Sequence, residues 1–308
     1  MTNALLGADD KGREVFIDPN KLASGRLLIS AMSGGGKSYA VRRLLEQLYM
    51  DMPAIVVDRE GEFFTLREQL DYFLAGGHGS DEPIPTDPHE IESLAERILQ
   101  ARMHSILDVE PLDNEERQEF MREFLTGLIE APKALRGKPI LVVIDEAHFF
   151  APQVGSPQAK KAMHRLASLG RKRGLVPIFA TQRLSEISKT VAAECHNRMI
   201  GMATLDVDVR RACGELGFSS ARRDDLRNLR PGEFFVYGPA FGSSKVKLVK
   251  VAAAETSHPS PGEPYPEVPG PGTNAIHFTR NHFHSDRPQP SKVVGIFSSL
   301  IRGHTKDI

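Results

Sequence analysis

The 308-residue chain has only two cysteines, almost no net charge and no long apolar run. Cys195 and Cys213 make no metal-ligand spacing, and free buried thiols in a reducing compartment fit them better than a disulfide. A formal net charge of −1 excludes a generally basic nucleic-acid binder. Any contact with DNA has to come from a local basic patch or from several subunits converging. The absence of a signal-peptide pattern and of a bilayer-length apolar stretch leads us to expect a cytoplasmic protein with no membrane partner. No internal repeat is visible. What is left is an ordinary globular composition, long enough for one large domain or two smaller ones.

Residues 31–38 read Ala-Met-Ser-Gly-Gly-Gly-Lys-Ser. They are one residue short of the phosphate-binding loop G-x-x-x-x-G-K-[ST], because Ala31 stands where the first glycine belongs. Such a loop wraps a triphosphate in backbone N–H groups, sends its lysine to the β- and γ-phosphates and places a hydroxyl on Mg²⁺. Ser33, Gly34, Gly35, Gly36, Lys37 and Ser38, with Tyr39 after them, are therefore the candidate contacts for ATP or GTP. The first position serves a tight turn more than a close phosphate approach, and the glycine run supplies extra backbone freedom, so binding is expected to survive Ala31.

The flanking residues supply the context the loop needs. Leu27–Ser30 is a compact apolar strand. After the loop, Val41, Leu44, Leu45, Leu48 and Met52 share one face of a helix, with Arg42, Arg43 and Glu46 expected outside. Pro53 stops that helix, and Ala54–Asp58 reads as a strand buried on both faces. Earlier, Val15–Ile17 reads as a short strand. Further on, residues 76–89 read as a surface loop, Ile91–Ala101 and 114–130 as helices, and 105–109 as a strand. Strong strands are expected at Ile140–Asp145 and Val176–Thr181, and weaker ones at 198–203, 233–237 and 245–251. This alternation predicts an α/β fold with a mostly parallel central sheet covered by helices on both faces. The reading assigns 1–254 to the nucleotide-binding domain and 255–275 to a Pro/Gly-rich linker. It assigns 276–308 to a tail with a short amphipathic helix at 291–302.

Ile140–Asp145 ends in two carboxylates, Asp145 and Glu146. An apolar strand ending this way after a phosphate loop is the second half of an NTPase site. Asp145 would hold the Mg²⁺ shell, and Glu146 would accept a proton from, or orient, the attacking water. A switch GTPase needs no such glutamate, so the pair favours repeated ATP hydrolysis. Gln182, at the end of the strand expected between these two, is a candidate γ-phosphate sensor. The segment 158–174 reads as a helix with Met163, Leu166, Ala167 and Leu169 facing inward and a basic outer side. That side is either a solvated helix face or the source of an arginine finger for a neighbour's site.

Four ordered stretches together resemble the HerA/FtsK superfamily of RecA-like P-loop ATPases, and most closely the HerA branch. They are Ser33–Ser38, Asp58-Arg-Glu-Gly-Glu62, Val143–His148, and Gly170–Gly174 running on to Gln182. The resemblance covers about residues 13–250. It implies a RecA-like, HerA-type domain in a hexameric ring motor that moves double-stranded DNA, is stimulated by it, and works beside a partner nuclease or effector. By matching positions it implies Lys37 on the phosphates and Ser38 and Asp145 on Mg²⁺. Glu146 becomes the catalytic carboxylate, Gln182 the sensor, and Arg171 the finger acting in a neighbouring subunit, with Arg173 as the reserve. Asp58 and Glu62 match a motif beside the nucleotide; a structural turn around Gly61 is the equal alternative. Longer HerA proteins carry an N-terminal β-barrel. Only about thirty residues precede the loop here, so contacts made through that barrel do not carry over.

Asp145–His148 spells Asp-Glu-Ala-His, which also suggests a superfamily 2 helicase. Such an enzyme needs a second RecA-like domain, and too little chain follows Gln182 for one. A conjugation or secretion ATPase of the same superfamily stays open, as does a regulatory ATPase ring that gates an effector with little translocation. The basic stretches 133–138, 160–173 and 222–230 are candidates for a pore lining or are simply solvated.

Overall fold

The computed structural model describes residues 3–259 and 266–284. Eleven strands form one sheet: β1 (Ala4–Asp9), β2 (Glu14–Ile17), β3 (Leu27–Ser30), β4 (Ala54–Asp58), β5 (Phe73–Ala75), β6 (Ser105–Asp108), β7 (Ile140–Ile144), β8 (Leu175–Thr181), β9 (Asn197–Ile200), β10 (Glu233–Gly238) and β11 (Ser243–Val251). Their order is β2-β1-β11-β10-β9-β3-β8-β7-β4-β6-β5. From β9 to β5 every pairing is parallel. The other end, β2-β1-β11-β10 against β9, is antiparallel. The fold is α/β with a mostly parallel sheet.

The helices are α1 (Pro19–Gly25), α2 (Lys37–Leu48), α3 (Pro88–Ala101), α4 (Asn114–Glu130), α5 (Lys160–Arg173), α6 (Lys189–Glu194), α7 (Asp206–Leu216), α8 (Arg223–Arg227) and α9 (Thr273–Phe283). Local chemistry fixes several of their ends. Asp87 caps α3 by accepting from the His89 and Glu90 N–H groups, with Pro88 at the first helical position. Asp113 and Glu116 form a reciprocal capping box at α4. Gly174 ends α5 in the left-handed conformation at φ +79°.

The central strands alternate their side chains between two cores. Leu28, Ile55, Val57, Val142 and Ile144 join the core under α3, α4 and α5. Their neighbours Leu27, Ile29, Val56, Leu141 and Val143 join the core under α2. That is the period of two in a sheet covered on both faces. Each such side chain taken fully out of water contributes roughly 1.5–3 kcal/mol.

Several elements differ from the sequence expectation. Helix α2 ends at Leu48, before Pro53, although Met52 is still buried. Arg42 and Arg43 are buried, not outside. The chain after β11 covers them: Arg42 donates to Thr256 Oγ1 (3.0 Å) and to the Glu62 carbonyl (2.8 Å), and Arg43 pairs with Glu255 (3.3 Å). Leu169 is only half-buried. Residues 255–259, read as the start of a tether, therefore lie against the domain. Helix α9 starts at Thr273, where a linker was expected, and packs Phe278 and Phe283 on Phe73 of edge strand β5 (ring centroids 4.8 and 5.7 Å). The helix expected at 291–302 lies outside the described residues. Cys195 and Cys213 are both free and buried. Among the described residues no helix is long and apolar enough to cross a membrane.

Candidate active site

The phosphate loop joins β3 to α2 at the C-terminal edge of the parallel strands, where ligands collect in open α/β sheets. Gly34 and Gly36 have φ of +74° and +91°, open only to glycine without strain. Gly36 also has no room for a side chain, since an added Cβ would lie 2.7 Å from the Gly232 nitrogen. Gly36 caps α2, so the first N–H groups of that helix face the loop with the positive end of its dipole. Ala31 is not among the residues of positive φ. A Cβ built on Gly201 would come within 2.9 Å of its methyl group. The carbon gained at Ala31 is thus matched by one absent at Gly201, and the loop closes without the first glycine.

A cavity of about 510 Å³ opens beside the loop, within the usual range for a small-molecule site. Ser33, Gly34, Gly36, Lys37, Ser38, Tyr39 and Gln182 line it. Gly35 stands behind the lining, its N–H donated to the Met32 carbonyl at 2.9 Å. Lys37 is buried and its ammonium binds Asp145 and, at 2.9 Å, Glu146. Burial alone would push this ammonium down, but the Asp145 and Glu146 carboxylates hold it above the ordinary lysine range. Ser38 Oγ donates to Glu62 Oε2 at 3.1 Å. Burial, with Asp145 nearby, raises the Glu62 carboxyl.

Glu146 sits in the left-handed region at φ +47°, unusual for a residue with a Cβ and a strain of about 1–3 kcal/mol. Its surroundings hold it there. Glu146 Oε2 accepts the Gln182 N–H at 3.2 Å and lies 3.2 Å from His148 Nδ1. His148 Nδ1 shares a 2.9 Å hydrogen bond with Thr181 Oγ1. Burial opposes ionisation of Glu146, but the His148 hydrogen bond and the Lys37 charge outweigh it and bring the carboxyl to about 2. Asp145 is raised by burial, against the pull of Lys37.

The residues present suit Mg²⁺. Asp145 Oδ2 is buried without a hydrogen-bond partner among the described residues, and the Ser38 hydroxyl donates to Glu62, whose carboxyl Asp145 helps to raise. Among the described residues no cluster of three His, Cys, Asp or Glu side chains could hold a metal alone. Mg²⁺ is commonly bound by one or two protein groups together with phosphate oxygens and water.

Asp58 and Glu62 separate. Glu62 lines the cavity. Asp58 is buried and accepts the Gly61 and Phe63 N–H groups at 2.9 and 2.8 Å, which makes it the anchor of the Gly61 turn. It pairs across β4 and β6 with Asp108. Burial and Asp108 raise Asp58 well above the carboxylate range, and burial raises Asp108 from 3.8 to about 6. Between those two values the folded chain binds the Asp108 proton more tightly than the unfolded chain does. The Asp108 contribution to stability is therefore lost as pH rises from about 4 to 6. Asp108→Asn is expected to raise the thermal midpoint at pH 7 and to raise it less at pH 4, as measured by melting at several pH values.

Arg171 is exposed in the last turn of α5, just before β8 begins, and has no ion-pair partner among the described residues. The phosphate loop is at the opposite edge of the sheet. The seven residues of β8 put on the order of 20 Å between the two edges. Arg173 is half-buried at the same edge as Arg171. In the stretch 222–230, Arg222 and Arg227 are paired with Asp225, Asp224 and Asp206. Pro231, Gly232, Val251, Ala252, Ala253 and His258 also line the cavity, and nothing in the sequence marked them. They come from a turn, from the last residue of β11 and from the chain after it, with no pattern of their own.

Residues 4–142 match the family described as the central domain of helicase HerA. The DNA double-strand break repair helicase HerA of Pyrococcus furiosus is 28% identical over 167 residues, 51% of this chain and 30% of that protein. The DNA translocase FtsK of Caulobacter vibrioides is 27% identical over 242 residues, 69% of this chain and 28% of that protein. The chain thus spans about a third or less of the length of these relatives. Among solved structures, VirB4 of Thermoanaerobacter pseudethanolicus superposes with a TM-score of 0.60 at 16% identity, covering 82% of this chain and 97% of that one. This last likeness is one of fold.

Proposed function

Because this chain belongs to the HerA/FtsK superfamily of P-loop ATPases, we propose that it hydrolyses ATP with Mg²⁺ as a homo-oligomeric ring, a hexamer. The ring uses that turnover to move double-stranded DNA, beside a partner nuclease or effector. The observation that carries the ATPase reading is the convergence of Lys37, Asp145 and Glu146 at the phosphate loop.

Lys37 exchanges its two carboxylates for the β- and γ-phosphate oxygens. Ser38 and Asp145 would hold Mg²⁺, which would supply positive charge to offset that of the phosphates. As Lys37 leaves Glu146, the carboxylate loses one of the two partners that hold its pKa down, and its basicity rises. His148 and the Gln182 N–H keep it oriented while it takes the proton of the attacking water. The Gln182 side chain, on the same cavity, orients that water or reads the γ-phosphate. Arg171 cannot reach this site in its own subunit, so it serves a neighbour's. That geometry supports assembly into a closed ring, in which each subunit offers its finger to the next. Around such a ring, basic side chains of several copies converge, which a chain of −1 net charge needs to hold DNA.

Phosphate release with and without duplex DNA tests this. DNA-stimulated turnover is expected. Turnover indifferent to DNA but altered by a partner protein would point to a regulatory ring. Lys37→Ala should weaken ATP binding at least about tenfold, the scale of one charged hydrogen bond lost. It also leaves Asp145 and Glu146 buried without their counter-ion, which costs about 3–5 kcal/mol of stability. Lys37→Arg keeps that charge, so comparing the two variants by equilibrium titration separates folding from phosphate recognition.

A further inference from the structure

One wall of the cavity comes from the end of β11 and the chain after it, beyond residues 4–142. Val251, Ala252 and Ala253 line the cavity, and His258 lines it again. The residues between are fastened to α2 and to the turn behind it. The Glu46 carboxylate accepts the N–H groups of Glu255 and Thr256, each at 2.9 Å, and the Thr256 hydroxyl at 2.7 Å. Glu68 accepts the Ser257 N–H at 2.8 Å, and Thr65 donates its hydroxyl to the Ser257 carbonyl at 2.7 Å.

This fastening delivers His258 to the phosphate loop. Its ring meets that of Tyr39 edge-on, with centroids 4.9 Å apart. His258 Nε2 lies 3.8 Å from Glu62 Oε2, the oxygen that accepts the Ser38 hydroxyl. His258 Nδ1 is buried with no hydrogen-bond partner among the described residues. Burial and the charges of Arg42 and Lys37 push the imidazole down to about 4, so at neutral pH it is uncharged, with one N–H donor and one acceptor nitrogen. A buried polar atom without a partner costs free energy until something satisfies it, and this one borders a cavity formed around a phosphate loop.

We propose that Val251–His258 is a strap that completes the ATP site, with His258 as a direct contact to the bound nucleotide and Glu46 as the clasp that holds the strap in place. The inference rests on the ATP-binding reading above. It adds a consequence: ATP binding and strap docking stabilise each other, so ATP anchors the C-terminal segment to the domain.

Hydrogen exchange on the full chain, with and without Mg-ATP, tests this together with ATP dissociation constants for wild type, His258→Ala and Glu46→Ala. Glu46 does not line the cavity. Exchange at 252–258 should slow about tenfold or more with ATP, and each variant should weaken ATP binding about tenfold. If ATP slows exchange at 33–39 while 252–258 is unchanged and both variants bind as wild type, the strap is not part of the site, although the site stands. If neither segment responds, the ATP-binding reading fails and the strap proposal fails with it. His258→Ala keeps the test decisive should Glu46→Ala fold poorly.

Discussion

Glu146→Gln should bind ATP at least as tightly as wild type and turn it over about 10²–10⁴-fold more slowly, the usual contribution of a positioned general base. The amide keeps the shape of the carboxylate. Its oxygen can still accept the Gln182 N–H, and Lys37 keeps Asp145 as a partner. One negative charge is gone from beside the triphosphate, so binding loses nothing. What disappears is the carboxylate held in place by His148 and the Gln182 N–H to take the water's proton, while Asp145 is committed to the metal. Fluorescence titration of ATP beside phosphate release separates the two effects. A variant that hydrolyses ATP within a few-fold of wild type would move the base elsewhere, with Glu62 as the next carboxylate on the cavity.

Arg171→Ala should fold, bind ATP and form the same assembly, yet lose about 10³-fold or more in turnover, as arginine fingers do. The side chain is exposed and has no ion-pair partner among the described residues, so its removal leaves the subunit intact. The decisive readout is complementation. In mixed rings, an Arg171→Ala subunit keeps a complete Glu146 site, and a Glu146→Gln neighbour still supplies Arg171. Some interfaces are therefore whole, and mixing two inactive proteins should restore turnover. Restored activity cannot come from a finger acting within its own subunit. An Arg171→Ala protein that hydrolyses normally as an assembled ring would exclude this residue and leave Arg173, on the same helix turn, to be tested.

The sequence made some of this legible for physical reasons that differ from residue to residue. The phosphate loop and the Asp145–Glu146 strand end could be read because each is local: a few adjacent residues dictate the backbone, and the flanking apolar runs dictate the sheet. Gln182 could be placed because a parallel sheet with short crossovers leaves few strand orders, and β8 does run between β3 and β7. Arg42 and Arg43 could not. Helical periodicity assigns them to the outer face of α2, and residues more than two hundred positions away, at Glu255 and Thr256, join Glu62 in turning that face into an interior. The same long-range closure hides His258. Helix α9 has few apolar residues and owes its position to Asp71, which accepts its Asn274 and Ala275 N–H groups, and to two phenylalanines on an edge strand of three residues. Asp58 and Glu62 looked like one motif; the Gly61 turn sends one inward as an anchor and the other to the cavity.

Mass photometry and electron microscopy of the Glu146→Gln protein with Mg-ATP and duplex DNA test the central claim most directly. The account predicts a ring of six subunits with ATP between neighbours, Arg171 of each reaching the next site, and duplex DNA in the channel. A protein that stays monomeric with ATP and DNA present, or a ring whose Arg171 residues face away from the neighbouring phosphates, would contradict it.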